Sequence, residues 1–170
     1  MSIPRSVFLE VLKDSYSAYY SIAENGEGEL PLAFRADYKA RDEQYFFIKS
    51  AKIWGNEKNE FAYVFSAPQF DPALVQRCAD WAWEDGIPRV KPHKEHQCTN
   101  IKVIFVADSM DEETGKAVKK LSRTKNYRFG LYGFSNLLAG AVNLSDSSSV
   151  TNREGHELSS YFRKLFAVRE

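Results

Sequence analysis

The chain has 170 residues, 44% hydrophobic and 14% aromatic, and its 23 Lys and Arg residues balance 23 Asp and Glu to a formal charge of zero. A chain of this length buries a sizeable core without disulfides or metals, and such a composition excludes disorder. Zero net charge removes any global field that would gather phosphates or anionic lipid, and no run of about 18 apolar residues offers a membrane span.

The opening residues Met1-Ser2-Ile3-Pro4-Arg5 carry no apolar signal region, and Cys78 and Cys98 are too few for a disulfide framework. Both features lead us to expect a cytoplasmic protein with no membrane association. In chain order, Val7, Phe8, Val11, Leu12, Tyr16, Tyr19, Tyr20 and Ala23 recur at three-and-four spacing, which predicts an amphipathic helix stopping near Asn25-Gly26. Leu32, Phe34, Ala36 and Tyr38 then alternate with polar residues as in a strand. Two aromatic-rich segments, Tyr45 to Trp54 and Glu60 to Phe65, flank turn residues Gly55 to Asn59 and predict a hairpin, which completes an antiparallel meander.

Asp71-Pro72 places an N-cap before a first-turn proline, and Ala73, Leu74, Val75, Cys78, Trp81 and Ala82 form a helical stripe ending at Gly86. The β-branched run Ile101 to Ala107 has the pattern of a central strand covered on both faces. Asp108 to Asp111 lead into a third helix with Ala117, Val118 and Leu121 inward and Lys116, Lys119, Lys120, Arg123 and Lys125 outward. Tyr127 to Tyr132 resumes strand character, which predicts a parallel crossover. Ala141 to Leu144 pairs across the turn Ser145 to Ser149, and after Thr151 and Asn152, the candidate caps, a helix from about Glu154 to Val168 ends the chain. The predicted order is α-β-β-β-α-β-α-β-β-α over a single domain, 1–170. Its class is α+β or α/β, a mixed sheet with an antiparallel meander followed by helix-wound strands.

Over residues 5 to 107 this layout resembles the core of the PD-(D/E)xK nuclease-like folds. The resemblance implies an Asp on the second strand and a Glu-x-Lys on the third, holding a divalent cation beside a water. Asp42 and Glu43 start the second strand, but the third reads Glu60-Phe61-Ala62, so Ala62 stands where the lysine belongs; Asp37-Tyr38-Lys39 lies on the wrong strand. What survives is a degenerate nuclease-like domain kept for nucleic-acid binding, a partner that the balanced charge does not indicate.

The densest run of reactive side chains is Arg89 to Cys98, just before the central strand. His93, Glu95, His96 and Cys98 offer imidazole, carboxylate and thiolate ligands for Zn or another divalent cation, with Glu95 as base for a bound water and Cys78 approaching from the preceding helix. Against this, the spacing matches no established zinc motif, and loop histidines more often bond to backbone carbonyls. Arg89, Lys91 and Lys94 offer a candidate anion site, which competes with a solvated basic loop. Trp81 and Trp83 cannot both face inward on one helix, which makes Trp83 the candidate for an exposed interface and a homodimer contact. Tyr45, Phe46, Phe47, Trp54, Phe61, Tyr63 and Phe65 read as cross-strand core ahead of the alternative, the lining of a ligand pocket or a base-stacking surface.

Taken together, Pro92-His93-Lys94-Glu95-His96, the strand Ile101 to Ala107, Tyr132-Gly133-Phe134 and Thr151-Asn152-Arg153-Glu154-Gly155 are similar to segments of an uncharacterised prokaryotic single-domain family of unknown function. The resulting expectation is a small cytoplasmic binding or interaction domain without catalysis. The alternatives are a metal-dependent hydrolase built on His93, Glu95, His96 and Cys98, and the degenerate nuclease-like domain.

Overall fold

The computed structural model describes residues 2–24, 28–38 and 57–168. Helix α1 (Arg5–Ser17) precedes strands β1 (Ser21–Glu24), β2 (Leu32–Tyr38) and β3 (Glu57–Ala67). Then follow α2 (Pro72–Gly86), β4 (His96–Ala107), α3 (Glu112–Lys120), β5 (Thr124–Asn126), β6 (Phe134–Asn143), β7 (Ser148–Thr151) and α4 (Leu158–Ala167). The strands form one mixed sheet in the order β1-β2-β3-β4-β6-β5, with β7 also on β6. Strands β1, β2 and β3 are an antiparallel meander; β3, β4 and β6 run parallel; β5 and β7 pair antiparallel with β6.

Strand β4 sits mid-sheet because its two faces feed two cores. Ile101, Val103 and Phe105 meet Val75, Cys78, Ala79 and Ala82 of α2 and Val118 of α3. Ile104 and Val106 meet Phe8, Leu12 and Tyr16 of α1 and Leu158, Phe162 and Leu165 of α4. Each such side chain taken out of water stabilises the fold by about 1.5–3 kcal/mol, which favours covering the apolar run on both sides. Among the described residues no helix is long and apolar enough to cross a membrane.

The Asp71 cap forms as its sequence dictates, with Oδ1 accepting from Leu74 N at 2.7 Å, and Asp111 caps α3 in the same way from Thr114 N at 2.8 Å. Gly86 ends α2 where a Cβ would stand 2.6 Å from Ile101 Cδ1.

The structure corrects five expectations. Helix α1 stops at Ser17, because Ser21–Glu24 finds ladder partners on β2 that a further helical turn would forgo. Glu57 to Asn59 belong to β3 and not to a turn; the other arm of the expected hairpin, Tyr45 to Trp54, falls outside the described residues. The parallel partner of β4 is β6, not Tyr127 to Tyr132, since Arg128, Phe129 and Gly130 have φ of 48°, 57° and 89° and curl that segment into a turn. Arg123 and Lys125 therefore lie beyond α3, and the last helix starts at Leu158 because residues 153–157 form turns. Among the described residues the order is α-β-β-β-α-β-α-β-β-β-α.

Candidate functional site

The segment from His93 to Cys98 is where the sequence concentrates reactive groups, and its two imidazoles are already committed. His93 Nδ1 accepts from Glu95 N at 3.2 Å, so the proton sits on Nε2, which contacts Glu57 Oε2. His96 is 3% exposed; its Nδ1 donates to the Tyr132 carbonyl at 2.7 Å and its Nε2 accepts from Thr99 Oγ1 at 2.7 Å. A metal binds an imidazole through its free lone pair, and here each is taken by an N–H or O–H donor. Glu95 is exposed.

Cys98 is buried, and burial pushes its thiol pKa up. It shares strand parity with Asn100 and Lys102, so it projects to the α1 and α4 face, whereas Cys78 belongs to the core under α2. Among the described residues no group of three or more His, Cys, Asp and Glu side chains could hold a metal ion.

The basic residues of the same stretch do not converge either. Arg89 turns inward: Nη1 donates to Asp37 Oδ2 at 2.7 Å, Nη2 donates to the Tyr63 hydroxyl at 2.8 Å, and the guanidinium stacks 4.1 Å from the Phe61 ring centre. Burial opposes its charge, but the hydrogen bonds to Asp37 and Tyr63 outweigh that and hold its pKa above the ordinary value. Tyr63 in turn donates to Asp85 Oδ2 at 2.6 Å, which pins the end of α2 to β3. Lys91 and Lys94 are exposed. Asp37, the acid of the sequence's only nearby acid-x-lysine, is thus an ion-pair partner; Lys39, Asp42 and Glu43 fall outside the described residues. Of the two tryptophans Trp81 is the exposed one, at 38%, while Trp83 packs partly buried against the core with Arg123 over its ring. The helix turns the opposite side outward from the one we expected.

A different constellation lies on the other face of the sheet. A cavity of about 370 Å³ opens between α1, the turn before α4, and the N-terminal halves of β3 and β4. Its floor is an ion pair: Lys102 Nζ lies 2.9 Å from Glu60 Oε1, each side chain 14% exposed. The pair exists because Ala62 is the register partner of Lys102, which sets Glu60 of β3 diagonally beside the lysine of β4. The lysine missing from Glu60-Phe61-Ala62 is thus supplied in space by the neighbouring strand.

The Tyr20 hydroxyl donates to Glu60 Oε2, the Tyr161 hydroxyl touches Ser15 Oγ, and the Tyr16 ring packs edge-on against Tyr20 at 4.6 Å and Tyr161 at 6.1 Å. Burial, reinforced by the Glu60 charge, raises the pKa of Tyr16 and Tyr20 well above the usual phenol value, so both stay protonated. Tyr16 is 4% exposed, yet among the described residues its hydroxyl has no hydrogen-bond partner, and it is not sealed off, so it opens onto the cavity. Glu154 and Glu157 stand at the rim, without a cation in ion-pair range among the described residues.

The wall beyond them is fixed by Asn152, which is 2% exposed. Its Oδ1 accepts from Ala139 N at 2.9 Å and Gly155 N at 2.8 Å, and its Nδ2 donates to Leu121 O at 3.0 Å and Leu137 O at 2.9 Å. Expected as a helix cap, Asn152 is instead the tie that holds the end of α3, β6 and the cavity rim together. Sequence reasoning missed this site, although one signal was present: Lys102 is a lone charge inside a strand buried on both faces, and such a charge requires a partner.

No curated protein and no solved structure matches the chain. A family model does, over residues 5–164, and so spans the whole sheet and every residue lining the cavity. The chain belongs to the family described as a domain of unknown function (DUF8052).

Proposed function

We propose that this chain is a cytoplasmic small-molecule-binding domain, acting as one unit without catalysis, and that the cavity floored by Glu60 and Lys102 is its binding site. The observation that carries the reading is the Tyr16 hydroxyl, a polar group in a residue 4% exposed, turned into a cavity with no hydrogen-bond partner among the described residues. A phenol in so enclosed a residue, with its hydroxyl open only to a cavity of ligand size, offers a donor and an acceptor to an occupant there.

The ion pair supports the same reading. Charges so far out of water cost several kcal/mol to desolvate, and an apolar pair of similar volume holds a fold at least as well. Their retention at a cavity floor fits recognition better than stability. Binding is favoured over turnover because the phenols are held protonated and Glu60 is paired with its lysine, while the two carboxylates outside that pair, Glu154 and Glu157, stand at the rim and not at the floor.

The test is a fragment screen by thermal shift on the full chain and on Leu138→Trp, which fills the cavity from β6. Fragments that raise the melting temperature of the native chain should lose their effect in the variant. Equal shifts in both proteins would place binding elsewhere and overturn the reading.

A further inference from the structure

Resting on that site, we infer that its ligand carries a positive charge and is a small ammonium compound. The charged groups facing the cavity are Glu60 from β3, Lys102 from β4, and Glu154 and Glu157 from the turn before α4. Lys102 is spent on Glu60, which leaves the two rim carboxylates without a cation among the described residues, and an anion entering past them would meet like charge.

The walls between rim and floor are phenol rings, whose faces attract cations. The protein already uses one in that way, with Lys102 Nζ 5.7 Å from the Tyr16 ring centre. The Tyr16 hydroxyl oxygen, free to accept, completes the set: carboxylates for the N–H groups or the charge, rings for the flanking methylenes, and one buried oxygen to orient the head. Aromatic walls with acidic edges are the chemistry that recognises an ammonium group, and the volume of about 370 Å³ suits a small molecule.

The test is isothermal titration of the full chain, at fixed ionic strength, with 1,4-diaminobutane, its neutral isostere 1,4-butanediol, and sodium phosphate. The diamine should bind at least about tenfold more tightly than the diol, and Glu154→Gln combined with Glu157→Gln should weaken it by about tenfold. Both substitutions sit at the rim, outside the two cores. A lysine blocked at both termini distinguishes a free amine from a lysyl side chain as the source of the charge, and tight binding of either supports the inference. Equal binding of diol and diamine, or preferential binding of phosphate, with both lost in Leu138→Trp, would overturn the charge assignment while leaving the cavity as the site. Absence of all three probes from the cavity would overturn the site along with it.

Discussion

Replacing Asn152 with alanine removes four hydrogen bonds from one buried side chain and leaves the N–H groups of Ala139 and Gly155 and the carbonyls of Leu121 and Leu137 without it. A buried polar group stripped of its partner costs about 1–3 kcal/mol, and water entering the vacated space recovers part of that, so we expect a net loss of about 3–5 kcal/mol. In a domain of this size that lowers the melting temperature by roughly 10 °C. Urea unfolding monitored by tryptophan fluorescence measures the loss, and hydrogen exchange at the Ala139 amide locates it. Asn152→Asp keeps the acceptor but turns both donors into a carboxylate aimed at two carbonyls, and should be at least as damaging. A loss below about 1 kcal/mol for Asn152→Ala would refute the view that this side chain ties α3, β6 and the cavity rim.

Lys102→Met alone strands the Glu60 carboxylate and should cost about 2–3 kcal/mol, whereas Glu60→Leu with Lys102→Met should lie within about 1 kcal/mol of the native chain; a double-mutant cycle in urea checks both. The Cys78 thiol, pushed up to about 12 by burial, should resist a disulfide reagent at pH 8 and react only at the rate of unfolding. Tyr16, Tyr20 and Tyr63 all have folded-state pKa values raised above their ordinary 10.0, first by burial, so the unfolded chain gives up those protons first. Their contribution is complete below pH 10 and is lost as pH rises beyond it, which a series of melting temperatures between pH 8 and 11 should record as a fall. Gly133→Ala should cost about 2–4 kcal/mol, because φ is +84° there and the new Cβ would stand on the Gln97 carbonyl; melting temperature reports it.

Elements with strong local signals were legible from the residues alone. The Asp71-Pro72 cap and Gly86 bound α2, and an apolar run covered on both faces marks β4 as central. Where tertiary pairing decides, the local signal misleads. The helical period continues through Tyr19, Tyr20 and Ala23, yet β2 recruits Ser21–Glu24 as an edge strand. The aromatic run at Tyr127 to Tyr132 looks like strand, but positive φ values turn it.

The candidate site is harder for the same reason. Tyr16, Glu60, Lys102 and Tyr161 are far apart in the chain and meet only through the parallel register of β3 on β4 and the packing of α1 beside α4. No spacing in the sequence encodes that register. The segment from His93 to Cys98, by contrast, is dense in reactive groups only along the chain; folded, its imidazoles serve Glu57, Thr99 and backbone groups, and its thiol is buried.

The most direct test of the central claim is a backbone amide chemical-shift map of the full chain titrated with 1,4-diaminobutane. Perturbations should centre on Tyr16, Asn100, Lys102, Leu138 and Gly155, which surround the cavity. Perturbations centred instead on Arg89 to His96 would contradict that claim.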